Sequence, residues 1–458
     1  MASTYLSRTP SSASNRKTWT WSGWVKRSDL TTGYDTLFSS YSDSNNLTRI
    51  VFWSSTSNQL TVSSKVAGNF PIDYRLTRVS RDTSAWYHIV VAMDTTQSTD
   101  TDRLKVYING VLETAYEGAA SSLPSQNEDT FINNNNVHYI GQTGGSSNYF
   151  NGLMANVEFV DGLQLTPAYF GSTNTATGIW TPSGATAISN YGTNGFKLKM
   201  DTTSPGADTS GKGNTFTASG TPTLTQGNPQ NNWCTFNSLV PPGGGFVANT
   251  TVAWSKGNTV ATLSNGSGNY GVTLSTIGMT TGKFYCEIKY ASSTGSGVIG
   301  IRGTQGTNQN NFLGGRIKDF AFQTNGHMVS GAGNDSSYGG TWGNGNIIGI
   351  ALDLDNNKLY FSKNGTFENS GNPTSGSTGT GAIAITPLST SGGNDLGAYF
   401  FGACEYYNGG NAVFSANFGS PAYAISSGNA DANGYGNFEY AVPSGYYSLN
   451  TKNLGEFG

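Results

Sequence analysis

An all-β chain of two β-sandwich, jelly-roll-like domains is what this sequence predicts, and three observations predict it. The first is a repeated hairpin signature. In residues 103–116, RLKVYINGVLETAY, Leu104, Val106 and Ile108 alternate with Lys105 and Tyr107, the period of two that a half-buried strand requires. Asn109-Gly110 then supplies the two positive-φ positions of a type I′ turn. Residues 358–368, KLYFSKNGTFE, repeat the device with Asn364-Gly365. The second observation is composition: with 11% charged residues, 12% aromatic residues and 62 glycines, solubility must come from Ser, Thr and Asn. Helices usually carry Glu, Lys and Arg on their solvent faces, so this balance favours turn-rich β structure. The third is that short alternating runs follow one another in both halves, while almost no stretch carries helical periodicity.

A length of 458 residues allows two domains, each with a core of its own. A net charge of -3 and a pI near 5.6 give no clustered cations for phosphate neutralisation, which excludes a nucleic-acid partner. No apolar run approaches the roughly 18 residues of a membrane span, and residues 1–16 lack the pattern of a signal peptide, so a soluble protein made in a cytoplasm is expected. Cys234, Cys286 and Cys404 are odd in number, widely spaced and without CxxC or His at ligand spacing, which argues against disulfides and zinc. In FYCEIKY, Phe284, Cys286, Ile288 and Tyr290 share one face, making Cys286 a small core residue.

Along the first domain, residues 1–200, the strand signals begin with residues 18–26, TWTWSGWVK, where tryptophans load at least one face. Further strands are expected at residues 35–40, 49–53, 59–63, 85–93, 103–108, 111–116, 138–140 and 152–160. The run WYHIVVAMD is apolar on both faces, as in a central strand covered on both sides, and His88 within it reads as structural. LTPAYFG carries one helical turn, with Thr166 to cap it and Pro167 at its first position. Residues 201–232 are rich in Thr, Ser, Gly, Asn and Pro and are expected to be a linker. The second domain, residues 233–458, shows strand signals at 259–263, 270–273, 282–290, 297–301, 319–323, 346–354, 358–363, 382–388, 397–403 and 412–417. Between them run long Gly/Asn/Ser loops, 303–315 and 330–345, suited to recognition.

The motifs resemble known families. KTWTWSGWVKR, AWYHIVVAMD, LKVYINGVLE, VHYIGQ, YFNGLMANVEFVDG and LTPAYF resemble a concanavalin A-like or laminin-G-like jelly roll of the kind found in bacteriophage virion proteins. GKFYCEIKY, GVIGI, IIGIALDLDNNKLYFSKNG and VFSANFGSPAY resemble successive strands of a SPRY domain. The combination is similar to structural proteins of tailed phages, cyanophages in particular. The resemblance implies a virion component, a tail fibre or surface appendage, that binds host-surface glycan or other virion proteins without catalysis and assembles as a homo-oligomer. A capsid decoration or head-fibre protein, a polysaccharide depolymerase with a jelly-roll catalytic half, and a cytoplasmic scaffold are the alternatives.

The residues that could carry chemistry are few. Glu158 and Asp161 in VEFVDG are three apart, placing them on opposite strand faces, and they depart from the ExDxxE pattern of jelly-roll glycosidases. With three histidines and no GxSxG elbow, a nucleophilic triad is not indicated. Laminin-G and lectin relatives often hold Ca²⁺, and Asp94, Asp100 and Asp102 crowd one loop, so these three are the candidate calcium ligands. Glycan recognition needs an aromatic face for sugar C–H groups and amide or carboxylate groups for hydroxyls. Loops that offer both nominate Tyr149, Phe150, Asn134, Tyr338, Trp342, Tyr406 and Tyr407 as glycan- or partner-binding residues.

Overall fold

Both Asn-Gly pairs turn the chain as their chemistry requires. In the computed structural model φ is +50° and +82° at Asn109 and Gly110, and +48° and +83° at Asn364 and Gly365. Each pair closes an antiparallel hairpin, Ile108 opposite Val111 and Lys363 opposite Thr366. The structure describes residues 4–458 apart from 29, 31–32, 55–56, 119–121, 146, 184–186, 240–249, 266, 293–295, 305–311, 332–333, 389–394 and 409–410. The chain is all-β and divides into two units, Met1–Leu224 and Thr225–Gly458.

The strands of the first unit are β1 (Tyr5–Arg8), β2 (Thr18–Arg27), β3 (Tyr34–Asp43), β4 (Asn46–Trp53), β5 (Gln59–Val66), β6 (Asn69–Val79), β7 (Tyr87–Asp94), β8 (Leu104–Ile108), β9 (Val111–Glu113), β10 (Val137–Ile140), β11 (Gly152–Asp161), β12 (Ser172–Thr173), β13 (Trp180–Thr181), β14 (Phe196–Leu198) and β15 (Thr217–Ser219). They build a seven-stranded sheet, β15-β1-β10-β3-β4-β5-β6, and a six-stranded sheet, β14-β11-β2-β7-β8-β9. Register makes the core continuous. Leu6, Ile140, Phe38, Ile50, Val62 and Tyr74 oppose one another strand by strand across the first sheet. Phe196, Phe159, Trp21, Val91 and Val106 do so across the second. All are buried in one apolar cluster, the two inner faces of a sandwich. β7 is central and buried along its length except at Asp94, as its doubly apolar pattern predicts.

Of the expected linker, 201–232, residues 208–219 are built into the first unit, and the boundary between the units falls after Leu224. β15 pairs with β1 as an edge strand, Phe216 is buried with its ring 4.7 Å from that of Phe196, and Asp208 accepts from the Lys197 and Asn214 amides. The polar composition hides a stretch whose partner lies about 200 residues away. Two short helices also escape the strand pattern: a turn at Asp100–Arg103 and a C-terminal helix, Thr451–Phe457, capped by the Asn450 side chain on the amides of Lys452 and Asn453.

In the second unit one sheet runs through Thr250–Ser255, Val260–Asn265, Asn411–Asn417, Lys283–Ser292, Ile347–Asp353, Lys358–Lys363 and Thr366–Phe367. The other runs through Ser267–Leu274, Asp395–Asn408, Ser296–Thr304, Asp319–Gln323, His327–Ser330 and Asn334–Ser337. Phe284, Cys286, Ile288 and Tyr290 point together into the core between them. On the opposite face of that strand Glu287 is fully buried and gathers the C-terminal segment. It accepts from the amides of Tyr440 (2.8 Å) and Glu439 (3.0 Å) and from the hydroxyls of Tyr285 and Tyr423 (both 3.2 Å).

Candidate ligand-binding face

The first unit treats its two outer faces in opposite ways. Beyond the six-stranded sheet, residues 163–183 and 187–191 lay Leu165, Phe170 and Tyr191 over Val90 and Val160. Beneath this cover sit Glu158 and His88, while Asp161 shares the face of Phe159, opposite the core residue Trp19. Glu158 accepts from the Tyr191 hydroxyl and pairs with Lys197 at 3.1 Å, and Asp161 accepts from Asn133 Nδ2 at 2.9 Å and the Asn194 amide at 3.0 Å. His88 is held between Trp24 and Trp180, its Nδ1 accepting from Trp180 Nε1 at 3.0 Å, so the ring proton resides on Nε2 and faces Ser22 Oγ at 2.9 Å. Burial lowers its pKa to about 3.

The outer face of the seven-stranded sheet is dressed differently. One register row runs Ser7, Tyr139, Ser39, Arg49, Ser63 and Asp73, the next runs Thr36, Val51, Thr61 and Arg75, and the one after brings Tyr34, Trp53 and Gln59 into line. A strap crosses this face. Residues 141–145 bind it through Thr36 Oγ1 to Thr143 Oγ1 (2.6 Å) and through Ser39 Oγ donating to the carbonyls of Gln142 (2.8 Å) and Thr143 (3.0 Å). Gly144 sits at φ +116° with the Tyr41 ring under it, where a Cβ would come within 2.4 Å of that ring. At the far edge of the sheet a second segment pairs with β6, Asp73 with Ser122 and Leu76 with Tyr116.

Two half-exposed aromatic patches remain on this face. In the first, Tyr5 lies 5.7 Å from Tyr139 and 6.2 Å from Tyr149, ring to ring. Burial, and then the neighbouring Tyr5 and Tyr41, raise the pKa of Tyr139. In the second, the rings of Tyr34 and Trp53 are 5.6 Å apart, with the Arg49 guanidinium 4.4 Å above Tyr34 and that of Arg75 3.7 Å above Trp53. Arg75 pairs with Glu117 at 3.1 Å and Asp73 at 3.6 Å. Arg49 donates from Nε to Ser63 Oγ at 3.1 Å, and burial lowers its pKa.

Of the residues nominated from sequence, Tyr149 belongs to the first patch. Phe150 does not: its ring packs against the core and lies over Gly152, because the chain turns inward there. Asn134 is half-buried and closes its own turn, its side-chain oxygen accepting from the Asn135 amide at 2.9 Å. Tyr338 and Trp342 are core residues rather than loop ligands, with Trp342 against Tyr290 (5.3 Å) and Tyr338 against Phe322 (5.6 Å). Their Gly-rich segment folds back over the end of the second core, the Trp342 amide donating to the Thr324 carbonyl at 3.0 Å. Tyr406 is half-buried beside Phe312 (4.6 Å) and Tyr270 (5.6 Å), and the side chain of Tyr407 lies outside the described residues.

The acidic loop does not converge on a cation. Asp94 accepts from Thr18, Thr96 and Gln97, Asp102 pairs with Lys105 at 3.0 Å, and Asp100 accepts from the Thr101 amide. Among the described residues no group of three or more His, Cys, Asp or Glu is placed to hold a metal ion. Sequence reasoning missed Tyr34, Arg49, Trp53 and Tyr139 as surface residues. The signal was present, since Arg49, Val51 and Trp53 alternate with the core residues Ile50 and Phe52.

Among the described residues no helix is long and apolar enough to cross a membrane. Ran-binding protein 9 of Xenopus laevis is 34% identical over 86 residues, 18% of this chain and 16% of that protein, so the chain spans less than a fifth of the curated relatives it matches. The solved SPRY domain of human HERC1 has 14% identity and a TM-score of 0.26, covering 36% of this chain and 89% of that one. Domain 4 of AbnA, a GH43 extracellular arabinanase from Geobacillus stearothermophilus solved with arabinotriose, has 25% identity and a TM-score of 0.27, covering 34% and 65%. Residues 2–168, which hold both patches, match the family described as the concanavalin A-like lectin/glucanases superfamily.

Proposed function

We propose that the chain is a non-catalytic recognition protein of a virion surface, a tail-fibre or related appendage component made in the host cytoplasm. Its first unit would take host-surface glycan, or a neighbouring virion protein, on the outer face of the seven-stranded sheet. One observation carries this reading: one outer face of the sandwich is sealed by residues 163–183 and 187–191, while the other keeps Tyr5, Tyr34, Trp53, Tyr139 and Tyr149 half-exposed among hydroxyls and guanidinium groups. Flat rings beside hydrogen-bonding groups suit the two sides of a pyranose. A capsid decoration or head-fibre protein would use the same face, and homo-oligomers would multiply weak contacts into avidity.

The absence of catalysis is part of the proposal and is supported by the commitments of Glu158, Asp161 and His88 to framework contacts. Incubation with host surface polysaccharide would bind the protein without releasing new reducing ends, and Tyr139→Ala would weaken that binding at unchanged melting temperature. Release of reducing ends that is lost in Glu158→Gln would replace recognition with depolymerisation. Mass spectrometry of purified virions tests the location.

A further inference from the structure

We infer that the patch built by Tyr34, Arg49, Trp53 and Arg75 is a subsite for the carboxylate of an acidic glycan, a polymer containing uronic acid. This rests on the recognition reading above and gives the ligand its chemical class. The four side chains form a ladder in which each guanidinium covers one ring of a tilted aromatic pair: Arg49 at 4.4 Å, the Tyr34–Trp53 pair at 5.6 Å, Arg75 at 3.7 Å.

The two cations have different surroundings. Arg75 carries both local carboxylates, Glu117 at 3.1 Å and Asp73 at 3.6 Å, and is the framework partner. Among the described residues no carboxylate lies within ion-pair distance of Arg49, whose Nε is held by Ser63 Oγ at 3.1 Å and whose plane rests on Tyr34. The Tyr34 hydroxyl hydrogen-bonds the guanidinium, and Asp73 faces it from beyond ion-pair distance. Arg49 is thus a half-buried cation, oriented by the Tyr34 ring and by the hydroxyls of Ser63 and Tyr34, with further N–H groups left to make bonds. Removing a cation from water costs free energy that a bound anion recovers. The planar fork suits a carboxylate better than a lone hydroxyl, because two parallel N–H···O bonds form at once.

The surroundings agree with a sugar acid. Val51, between Arg49 and Trp53 on the same strand face, is fully buried, so the patch rests on a dry base. The strap at residues 141–145 lies over Thr36 and Ser39 on one side of the patch, and β6 with Asp73 and Arg75 lies on the other. A neutral sugar would leave the Arg49 fork partly unsatisfied. An acidic peptide would meet the fork but would lack a flat C–H face to set against the rings.

The test uses the whole chain and three polyuronates, polygalacturonate, alginate and hyaluronate, each beside its carboxyl-reduced counterpart, with binding measured by titration calorimetry. At least one acidic polymer is expected to bind at least tenfold more tightly than its reduced form, with affinity falling as salt rises. Arg49→Gln is expected to remove that tenfold preference and leave the reduced form's affinity where it was. Arg49→Lys, which keeps the charge without the fork, is expected to retain only part of it, and serves alone if the glutamine variant does not fold. Equal affinity for acidic and reduced polymers, no binding of any polyuronate, or an unchanged preference in a folded Arg49 variant overturns the inference. Binding of poly-glutamate as tight as that of the best polyuronate overturns the glycan class. If the inference fails while Tyr139→Ala still weakens binding to host polysaccharide, the recognition reading stands; if that binding is absent too, both fall.

Discussion

The indole N–H of Trp180 donates to Nδ1 of His88 at 3.0 Å, which leaves that nitrogen no room for a proton. His138 is fixed in the same way, with Nε2 accepting from the Asn133 amide at 3.1 Å and Nδ1 donating to the Asn136 carbonyl at 2.8 Å. Burial lowers their pKa values to about 3 and about 4. Both rings are neutral when folded and take a proton near pH 6.5 when unfolded. The unfolded chain therefore binds more protons below pH 6.5, and stability is lost as pH falls from there toward the folded values. The loss should reach the order of a few kcal/mol per histidine. Melting temperatures recorded from pH 7 to pH 4 are expected to fall, and to fall less steeply in His88→Gln, measured against that variant's own value at pH 7.

Gly110 faces two obstacles to any side chain. Its φ of +82° disfavours a β-branched residue, and a Cβ there would lie 2.7 Å from the Trp180 ring, the same ring that anchors His88. Gly110→Val should destabilise the first unit by roughly 2–4 kcal/mol. Chemical denaturation checks this, and a normal midpoint would contradict the turn geometry.

Trp342 and Tyr149 should separate stability from binding. Trp342 is 5% exposed within the second core, so Trp342→Ala should cost about 3–5 kcal/mol. Tyr149 is half-buried in the first patch, and Tyr149→Ala should leave the melting temperature within a few degrees while weakening glycan binding. Paired thermal melts and binding isotherms distinguish the two.

Glu287 holds residues 439 and 440 to their sheet by accepting both amides. Burial raises its pKa, and the four hydrogen bonds oppose that shift. Glu287→Ala would orphan those donors and should cost about 3–5 kcal/mol. Hydrogen exchange should rise at residues 439–440 before the rest of the second unit loosens.

Local chemistry was readable and distant pairing was not. The Asn-Gly hairpins, the doubly buried β7 and the Phe284–Cys286–Ile288–Tyr290 face follow from a period of two and from positive φ, which need only neighbouring residues. Tyr338 and Trp342 sit in Gly-rich sequence that resembles an open loop, and only tertiary contact with Tyr290 and Phe322 reveals them as core. Arg49 and Trp53 could be assigned to the face opposite Ile50 and Phe52. That this face keeps Tyr34 and Trp53 half-exposed while the other is sealed depends on segments distant in the chain, such as Trp180 over His88.

The pairing of β15 with β1 also determines where the first unit can be severed. A fragment ending at residue 200 would lose Phe216 from its place beside Phe196 and strip one row of hydrogen bonds from Tyr5–Arg8. The sheet would then present a bare margin to any chain in solution, a template for aggregation next to the Tyr5 patch. A fragment carried through Leu224 keeps that margin closed, and its behaviour on size exclusion should be the cleaner of the two.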